Sequence, residues 1–377
     1  MCEVVNGGTP RTGVTDYWGG EHLWITPAEM GKRKSPYADD TERKLTDAGL
    51  RNSSAQMLPH FSVILSSRAP IGYLVINTKP MSTNQGCKGL VPDEQLDYKY
   101  LYHYLTSIVE LLDSLGTGAT FRELSSGKLK EVPIPVPPLP EQRRIVALLD
   151  EAFADLAAAR AAAERNLRNA RALFDSRLNE VFTRKGEGWV ERRLGDFGKV
   201  SMCKRIFKEE TTPNGDIPFY KIGTFGKEPD AYIPIETYNR YRAKYPFPKK
   251  GDILISASGT IGRRIRYGGE PAYFQDSNIV WIDNDEKQVL NDFLYHFYRA
   301  CEWNSTKGAT ISRLYNDNLR QIVIALPTSF QEQRRIVAHL DALAAETRKL
   351  ENLFERKLAA LDELKKSILR QAFNGEL

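Results

Sequence analysis

A ten-residue segment that occurs twice limits what this chain can become. Glu141-Gln142-Arg143-Arg144-Ile145-Val146-Ala147-Leu148-Leu149-Asp150 returns as Glu332-Gln333-Arg334-Arg335-Ile336-Val337-Ala338-His339-Leu340-Asp341, identical at nine of ten positions at an offset of 191. The register holds downstream, where Ser176, Leu178 and Phe182 fall on Ser367, Leu369 and Phe373. Upstream, at an offset of 190, Ser66, Gly72, Gln85 and Gly118-Ala119-Thr120 fall on Ser256, Gly262, Gln275 and Gly308-Ala309-Thr310, and Leu129 and Pro137 fall on Leu319 and Pro327. Between these anchors the copies diverge. Two copies are too few for a solenoid. The expected plan is a variable globular part at 1–136, a Pro-rich step and long helix at 137–184, a second globular part at 185–328 and a second long helix at 329–377.

Helical period marks the matched parts. From Glu141 to about Thr183, Leu149, Ala152, Leu156, Ala159, Ala163, Leu167, Ala170, Phe174, Leu178 and Val181 follow in steps of three and four, and such a pattern predicts one amphipathic helix of five heptads or more. Leu340, Leu343, Thr347, Leu350, Phe354, Leu361, Leu364 and Ile368 form the second stripe, interrupted at Lys357. Pro137-Pro138-Leu139-Pro140 punctuates the first start. Ser329-Phe330-Gln331-Glu332 predicts a capping box and Asn374-Gly375 a helix stop. A helix of about 42 residues, roughly 60 Å at ~1.5 Å per residue, cannot bury its stripe on a small domain. Each copy supplies the partner stripe for the other. An intramolecular antiparallel coiled coil follows, since a folded domain connects the helices, and it predicts a two-fold pseudo-symmetric chain.

Each globular part reads as mixed α/β. Short apolar strands are expected at 61–66 and 251–256, each followed by a turn closing on Gly72 or Gly262 and by strands at 73–77 and 263–267. A helix packed on the sheet is expected at 97–112 and at 292–303. His103 and His296 occupy matching places there, and structural histidines are favoured over metal ligands because no second or third ligand accompanies them.

Composition enters when partners are considered. The chain has 377 residues, 53 basic and 48 acidic, a formal charge of +5. The segments 141–183 and 332–377 are nearly balanced, with seven of each sign and nine against eight, so +4 of the excess lies on the globular parts and linkers. Such an excess permits a polyanion partner. Basic residues interleave with aromatics on expected loops, and the candidates for DNA contact are Lys32, Arg33, Lys34, Arg43, Lys44, Arg68, Thr120 and Arg122 in the first part. In the second they are Lys204, Arg205, Arg240, Arg242, Lys244, Arg263, Arg264, Arg266, Thr310 and Arg313. Arg and Lys hold phosphates or read guanine edges.

Other chemistry is not legible. Four scattered cysteines make no CxxC pair and fit a reducing compartment. Every Gly-Lys pair lacks the Ser or Thr of a P-loop. No Pro-Pro-Tyr/Phe motif of the type that grips a flipped adenine occurs. Asp196-Phe197-Gly198 lacks a His-Arg-Asp loop. No run of ~20 apolar residues exists to cross a membrane. No catalytic residue and no metal site is assigned. Two rival readings remain: a magnesium-dependent nuclease using Asp93, Asp97 and Lys99, and a coiled-coil scaffold that reads no DNA.

The Pro-Pro-Leu-Pro-Glu-Gln-Arg-Arg-Ile step, its second copy and the closing Gln371-Ala372-Phe373-Asn374-Gly375-Glu376-Leu377 resemble one family across essentially the whole chain. It is the DNA-specificity (S) subunit family of type I restriction–modification systems. The resemblance implies two target recognition domains, each reading one half of a bipartite asymmetric DNA site. It implies helices that set the spacer and dock modification (methyltransferase) subunits, with Glu141, Gln142, Arg143, Arg144, Glu332, Gln333, Arg334 and Arg335 as candidates for that role. The chain itself binds no cofactor under this reading. S-adenosylmethionine, ATP and magnesium belong to partner subunits, which include restriction/translocase subunits where these exist, and the location is cytoplasmic. One departure stands out. Glu3-Val4 matches Lys199-Val200, so the stretch Trp189-Val190-Glu191-Arg192-Arg193-Leu194-Gly195 has no counterpart after Met1. The first recognition domain is therefore expected to lack an edge strand.

Overall fold

The computed structural model describes every residue except 69, 119–121, 185, 304, 305, 308–311 and 377, with backbone only at 306, 307 and 312. The chain forms two compact units, Met1–Glu164 with Arg356–Leu377, and Arg165–Glu355. Both unit boundaries fall inside long helices, so each unit combines one globular part with pieces of both helices.

In the first unit, β1 (Cys2–Asn6), β2 (Val63–Ser67), β3 (Ile71–Asn77) and β4 (Cys87–Pro92) make a sheet in the order β1-β4-β2-β3. Tyr37–Ala38 adds a parallel edge to β3. Every residue of β2 is buried. Side chains alternate across a strand, and both faces of β2 are covered. Val63 and Leu65 meet the helices, whereas Ile64 meets Leu23, Ile25 and Met81 of a second, three-stranded sheet. α1 (Tyr98–Ser107) and α2 (Leu139–Thr183) follow. The helix expected over 97–112 is interrupted at Ile108, which leaves helical geometry (φ −112°, ψ 19°) before Val109–Ser114.

The second unit repeats this plan. β5 (Trp189–Arg193) precedes β6 (Gly198–Ser201), and α3 (Ile235–Lys244) precedes β7 (Ile253–Ser256), β8 (Arg264–Arg266) and β9 (Ile279–Asn284). The sheet order β6-β9-β7-β8 reproduces β1-β4-β2-β3. α4 (Asn291–Ala300), β10 (Val323–Pro327) and α5 (Phe330–Asn374) complete the unit. Ile253 and Ile255 face the helices and Leu254 faces the smaller sheet, as in β2. Even that smaller sheet keeps its pattern, one antiparallel and one parallel pairing, although its sequence has diverged.

The shared anchors brace the β-hairpins. Ser66 Oγ accepts from Tyr73 N at 2.7 Å and donates to Pro70 O at 2.8 Å. Ser256 Oγ accepts from Arg263 N at 2.9 Å and donates to Thr260 O at 2.6 Å. Gly72 (φ +111°) and Gly262 (φ +84°) hold a conformation that side-chain-bearing residues disfavour. A Cβ there would meet Val109 or Trp303 at 2.5 and 2.1 Å.

The long helices pack antiparallel within each unit. In the first, Ile145, Val146 and Leu149 share a core with Leu369 and Ala372, and Arg160 pairs with Asp362. In the second, Phe174 and Leu178 meet Ile336, Val337 and Leu340, and Arg171 bonds Glu355 at 2.9 Å. All ten positions of the first stripe lie on the buried or half-buried face. The second differs from expectation. Leu350 and Leu364 are exposed, and the seam runs through Thr347, Phe354, Leu358, Leu361 and Leu369. A helix at 3.6 residues per turn drifts against a 3.5-residue repeat, which carries such positions off the seam. The α5 start is also half a capping box: Ser329 Oγ accepts from Glu332 N at 3.4 Å, but the Glu332 carboxylate turns to Arg335. Gly375 (φ +77°) ends α5 as expected, with Glu376 N bonded to Gln371 O.

Candidate nucleic-acid interface

The residues shared by the two copies are mostly engaged inside the fold. Gln142 is fully buried. Its Oε1 accepts from Asp97 N at 2.8 Å, and its Nε2 donates to Gln95 O and Pro137 O at 2.9 and 2.8 Å. Gln333 repeats the joint: Oε1 accepts from Leu290 N and Nε2 donates to Gln288 O and Pro327 O, all at 2.9 Å. Each glutamine ties α1 or α4 and the Pro-rich step to the first turn of a long helix. Glu141 chelates Arg144, and Glu332 chelates Arg335, and these bonds hold both carboxyls below their usual range. Of the eight docking candidates, Gln142 and Gln333 thus lie inside the fold, and the four arginines are exposed. Their glutamine spacing carried the signal: 142, 145, 146 and 149 share one helix face.

The two histidines serve the same joints. His103 Nε2 lies 3.2 Å from Asp150 Oδ1, and His296 Nε2 2.9 Å from Asp341 Oδ1. Burial pulls both histidines below their ordinary pKa, against the pull of the carboxylates. Each Nδ1 is buried without a partner, which disfavours the doubly protonated ring. The nuclease trio does not converge. Asp93 binds the Met1 ammonium, Asp97 caps α1 through Lys99 N and Tyr100 N, and Lys99 Nζ pairs with Asp150 at 2.8 Å.

The diverged residues make the surface. Fourteen basic and fifteen acidic residues occupy 1–136, against twenty-two and eighteen in 185–328, so the positive excess lies on the second part. There α3 buries Tyr238 against Phe247 and turns Arg240, Arg242 and Lys244 outward. Lys204 Nζ and Lys244 Nζ stand 5.2 and 5.8 Å from the Tyr245 ring, and Arg240 lies 5.0 Å over Tyr241. No carboxylate pairs with Lys204, Arg240, Arg242 or Lys244 among the described residues. A cleft of about 610 Å³ adjoins them, lined by Arg242, Tyr245, Phe247, Lys249, Lys250 and Tyr267. Lys250 is exposed at this cleft and follows the same basic-aromatic pattern, whereas its neighbour Lys249 pairs with Asp283 at 2.9 Å.

Other candidates are differently placed. Arg205 pairs with Asp276 at 2.9 Å. Arg263 bonds Phe225 O, and Arg264 bonds Tyr295 O at 2.6 Å while stacking on that ring. Arg264 is pulled below its usual pKa by burial. Arg266 pairs with Asp292 at 2.7 Å. Arg264 and Arg266 brace β8 on α4, and Arg263 ties the residue before β8 to Phe225 O, so the three are not a free basic patch. Arg313 lies 5.8 Å from the Tyr315 ring. In the first unit Lys32, Arg33 and Lys44 pair with Glu42, Glu29 and Asp40. Arg68 approaches Glu123 at 3.8 Å and Arg122 pairs with Asp113 at 3.1 Å. Lys34 is exposed. Arg43 is exposed and lies 3.5 Å over the Trp18 ring, a cation and a ring presented together. Thr120 and Thr310 lie outside the described residues. Among those residues no three His, Cys, Asp or Glu side chains converge on a metal position, and no helix is long and apolar enough to cross a membrane.

Known proteins were compared with this chain. The family described as type I restriction modification DNA specificity domain matches residues 1–163 and 186–358, one match per copy. A Haemophilus influenzae protein assigned as a type I restriction enzyme specificity subunit is 49% identical over 252 residues, 66% of this chain and 64% of that relative's length. The MjaIX specificity subunit of Methanocaldococcus jannaschii is 30% identical over 351 residues, 86% of this chain and 81% of its own. In fold, a chain from a structural study of type I restriction–modification complex assembly superposes with a TM-score of 0.80 at 19% identity, covering 100% of this chain and 98% of that one. The HsdS subunit of Thermoanaerobacter tengcongensis superposes at 0.60 and 20% identity, covering 100% and 97%. Both copies match the family and the M. jannaschii relative follows most of the chain, so this protein belongs to the DNA-specificity subunits of type I restriction–modification systems.

Proposed function

We propose that this chain reads a bipartite DNA site and performs no reaction itself. Each globular part contacts one half-site, and the paired helices set the unread spacer between them. One observation carries the reading: the shared Gln142, Gln333, His103 and His296 build joints, whereas the diverged Lys204, Arg240 and Lys244 face solvent beside Tyr241 and Tyr245. Lys204, Arg240 and Lys244, free of carboxylate partners among the described residues, suit with Tyr245 a phosphate backbone and neighbouring base edges. Arg43 over Trp18 offers the first part a comparable contact. A helix of 45 residues is about 68 Å long, enough to bridge half-sites about one duplex turn, roughly 34 Å, apart.

The exposed Arg143, Arg144, Arg334 and Arg335 are the docking positions for modification subunits under this reading. Those subunits bring S-adenosylmethionine and methylate adenine, and a restriction subunit, where present, brings ATP-driven translocation and magnesium-dependent cleavage in the cytoplasm. Methylation-aware sequencing of a host expressing the chain with modification subunits tests this. One bipartite motif that disappears when the gene is deleted is expected. Methylation that persists without the gene overturns the reading.

A further inference from the structure

The ends of β2 and β7 are held in one backbone frame. In the first unit Ser67 N donates to Gly86 O and Leu124 N to Ser67 O, both at 2.8 Å, and Arg68 pairs antiparallel with Glu123 through the backbone. In the second, Ala257 N donates to Asn278 O at 2.7 Å and Leu314 N to Ala257 O at 2.8 Å, and Ser258 pairs in the same way with Arg313. The frame therefore matches Arg68 with Ser258, Gly86 with Asn278 and Glu123 with Arg313. Residues that build it keep their type, Ser66 with Ser256 and Leu124 with Leu314. The three positions it displays all differ, and the charge at one of them is reversed.

Each displayed set fits its own space. A Cβ at Gly86 would stand 3.2 Å from Arg68 Cγ, so the glycine leaves that room to the arginine. In the second unit the sizes are exchanged: Ser258 is small and buried, and its Oγ donates to Asn278 Oδ1 at 2.7 Å, which fixes the amide. Hydrogen-bonding capacity is left over in both. The Glu123 carboxylate stands 3.8 Å from Arg68 and 4.0 Å from the buried Lys88, too far for a hydrogen bond to either. Arg313 has no carboxylate partner among the described residues. Each set also adjoins the cation and ring group of its own unit. Lys204, beside the Tyr245 ring, is followed by Arg205, which bonds Asp276 two residues before Asn278. In the first unit Trp24, under Arg43, donates to Gly8 O, and Asn84 bridges the next residue, Thr9, to Gly86 N.

We propose that these matched positions form a base-reading slot in each globular part, with Arg68 and Glu123 determining one half-site and Asn278 and Arg313 the other. These roles rest on the DNA reading proposed above and separate side chains that meet bases from those that hold phosphates. In the major groove arginine fits O6 and N7 of guanine, glutamate the amino group of cytosine, and asparagine N6 and N7 of adenine. Arg68 beside Glu123 thus suits a G·C pair, and Asn278 beside Arg313 suits an adenine next to a guanine. A frame that stays fixed while its displayed chemistry changes lets one fold read two different sequences, as an asymmetric site requires.

The methylated motif of a host expressing the full chain with modification subunits reads both slots. Arg68→Ala should relax one base position in one half-site and Arg313→Ala one position in the other, with discrimination there falling about tenfold or more and the spacer unchanged. The salt slope of DNA binding by the assembled complex should stay level in both, whereas a lost phosphate contact lowers it by about 0.9. Glu123→Gln and Asn278→Asp keep side-chain size, so they should alter the same half-sites at an unchanged melting temperature. A motif that is the same in all four variants overturns the slots and leaves the function proposed above standing. So does binding weakened equally at every sequence with a reduced salt slope, which would make these residues phosphate contacts. An unsubstituted chain on which no motif depends overturns both.

Discussion

His296 Nε2 sits 2.9 Å from Asp341 Oδ1, joining the helix that packs on the second sheet to the third turn of α5, and His103 reaches Asp150 in the same way. The residues lie far apart in sequence, yet both members recur in both copies. A ring that suggests metal chemistry when met alone here pins a short helix of each globular part to a long helix.

That pin gives the protein a pH dependence. Histidine titrates near 6.5 in an unfolded chain, and burial lowers both folded values. Below about 6.5 the unfolded state therefore binds more protons, and stability falls with pH until the folded values are passed. Asp150 acts in a different window. Burial raises its pKa, bonds from Lys99 and His103 outweigh that, and the net lowering contributes stability lost only in the acid range. Urea midpoints should drop between about pH 6.5 and 5. The double variant His103→Asn, His296→Asn should start less stable and show a flatter slope. An unchanged slope counts against the pins as its source.

Gln142→Leu and Gln333→Leu keep side-chain volume but leave three backbone groups at each joint without their partner. Each should cost about 2–4 kcal/mol in urea unfolding. A loss under half a kcal/mol would show that water replaces the amide.

Arg240→Ala with Lys244→Ala should weaken DNA binding by the assembled complex while the melting temperature stays level. Each lost phosphate contact should reduce the slope of log K against log salt by about 0.9. Arg264→Ala should do the reverse and lower stability first, because that guanidinium holds Tyr295 O. Equal effects of both changes on binding would place the interface elsewhere.

Seven residues added to both helices, after Glu164 and before Arg356, preserve the seam's phase and add about 10 Å. The methylated motif should keep both half-sites and gain about three base pairs of unread spacer, at ~3.4 Å per pair. A changed half-site base, or an unchanged gap, would contradict the division between readers and rod.

Much of this was legible in the chain itself. The repeat, the helical stripe from Leu149 to Val181 and the mixed α/β plan all follow from local periodicity and identity, because helix and strand each impose a spacing on apolar residues. Tertiary structure decided where polar groups end. Arg264 and Arg266 look as available in sequence as Arg240 and Lys244, but Tyr295 and Asp292 reach the first pair and, among the described residues, no carboxylate reaches the second. Gln142 looks like a docking residue until its amide is found between three backbone groups. A charge or an amide carries no mark of its partner in sequence, because the partner comes from a distant segment that only folding brings near.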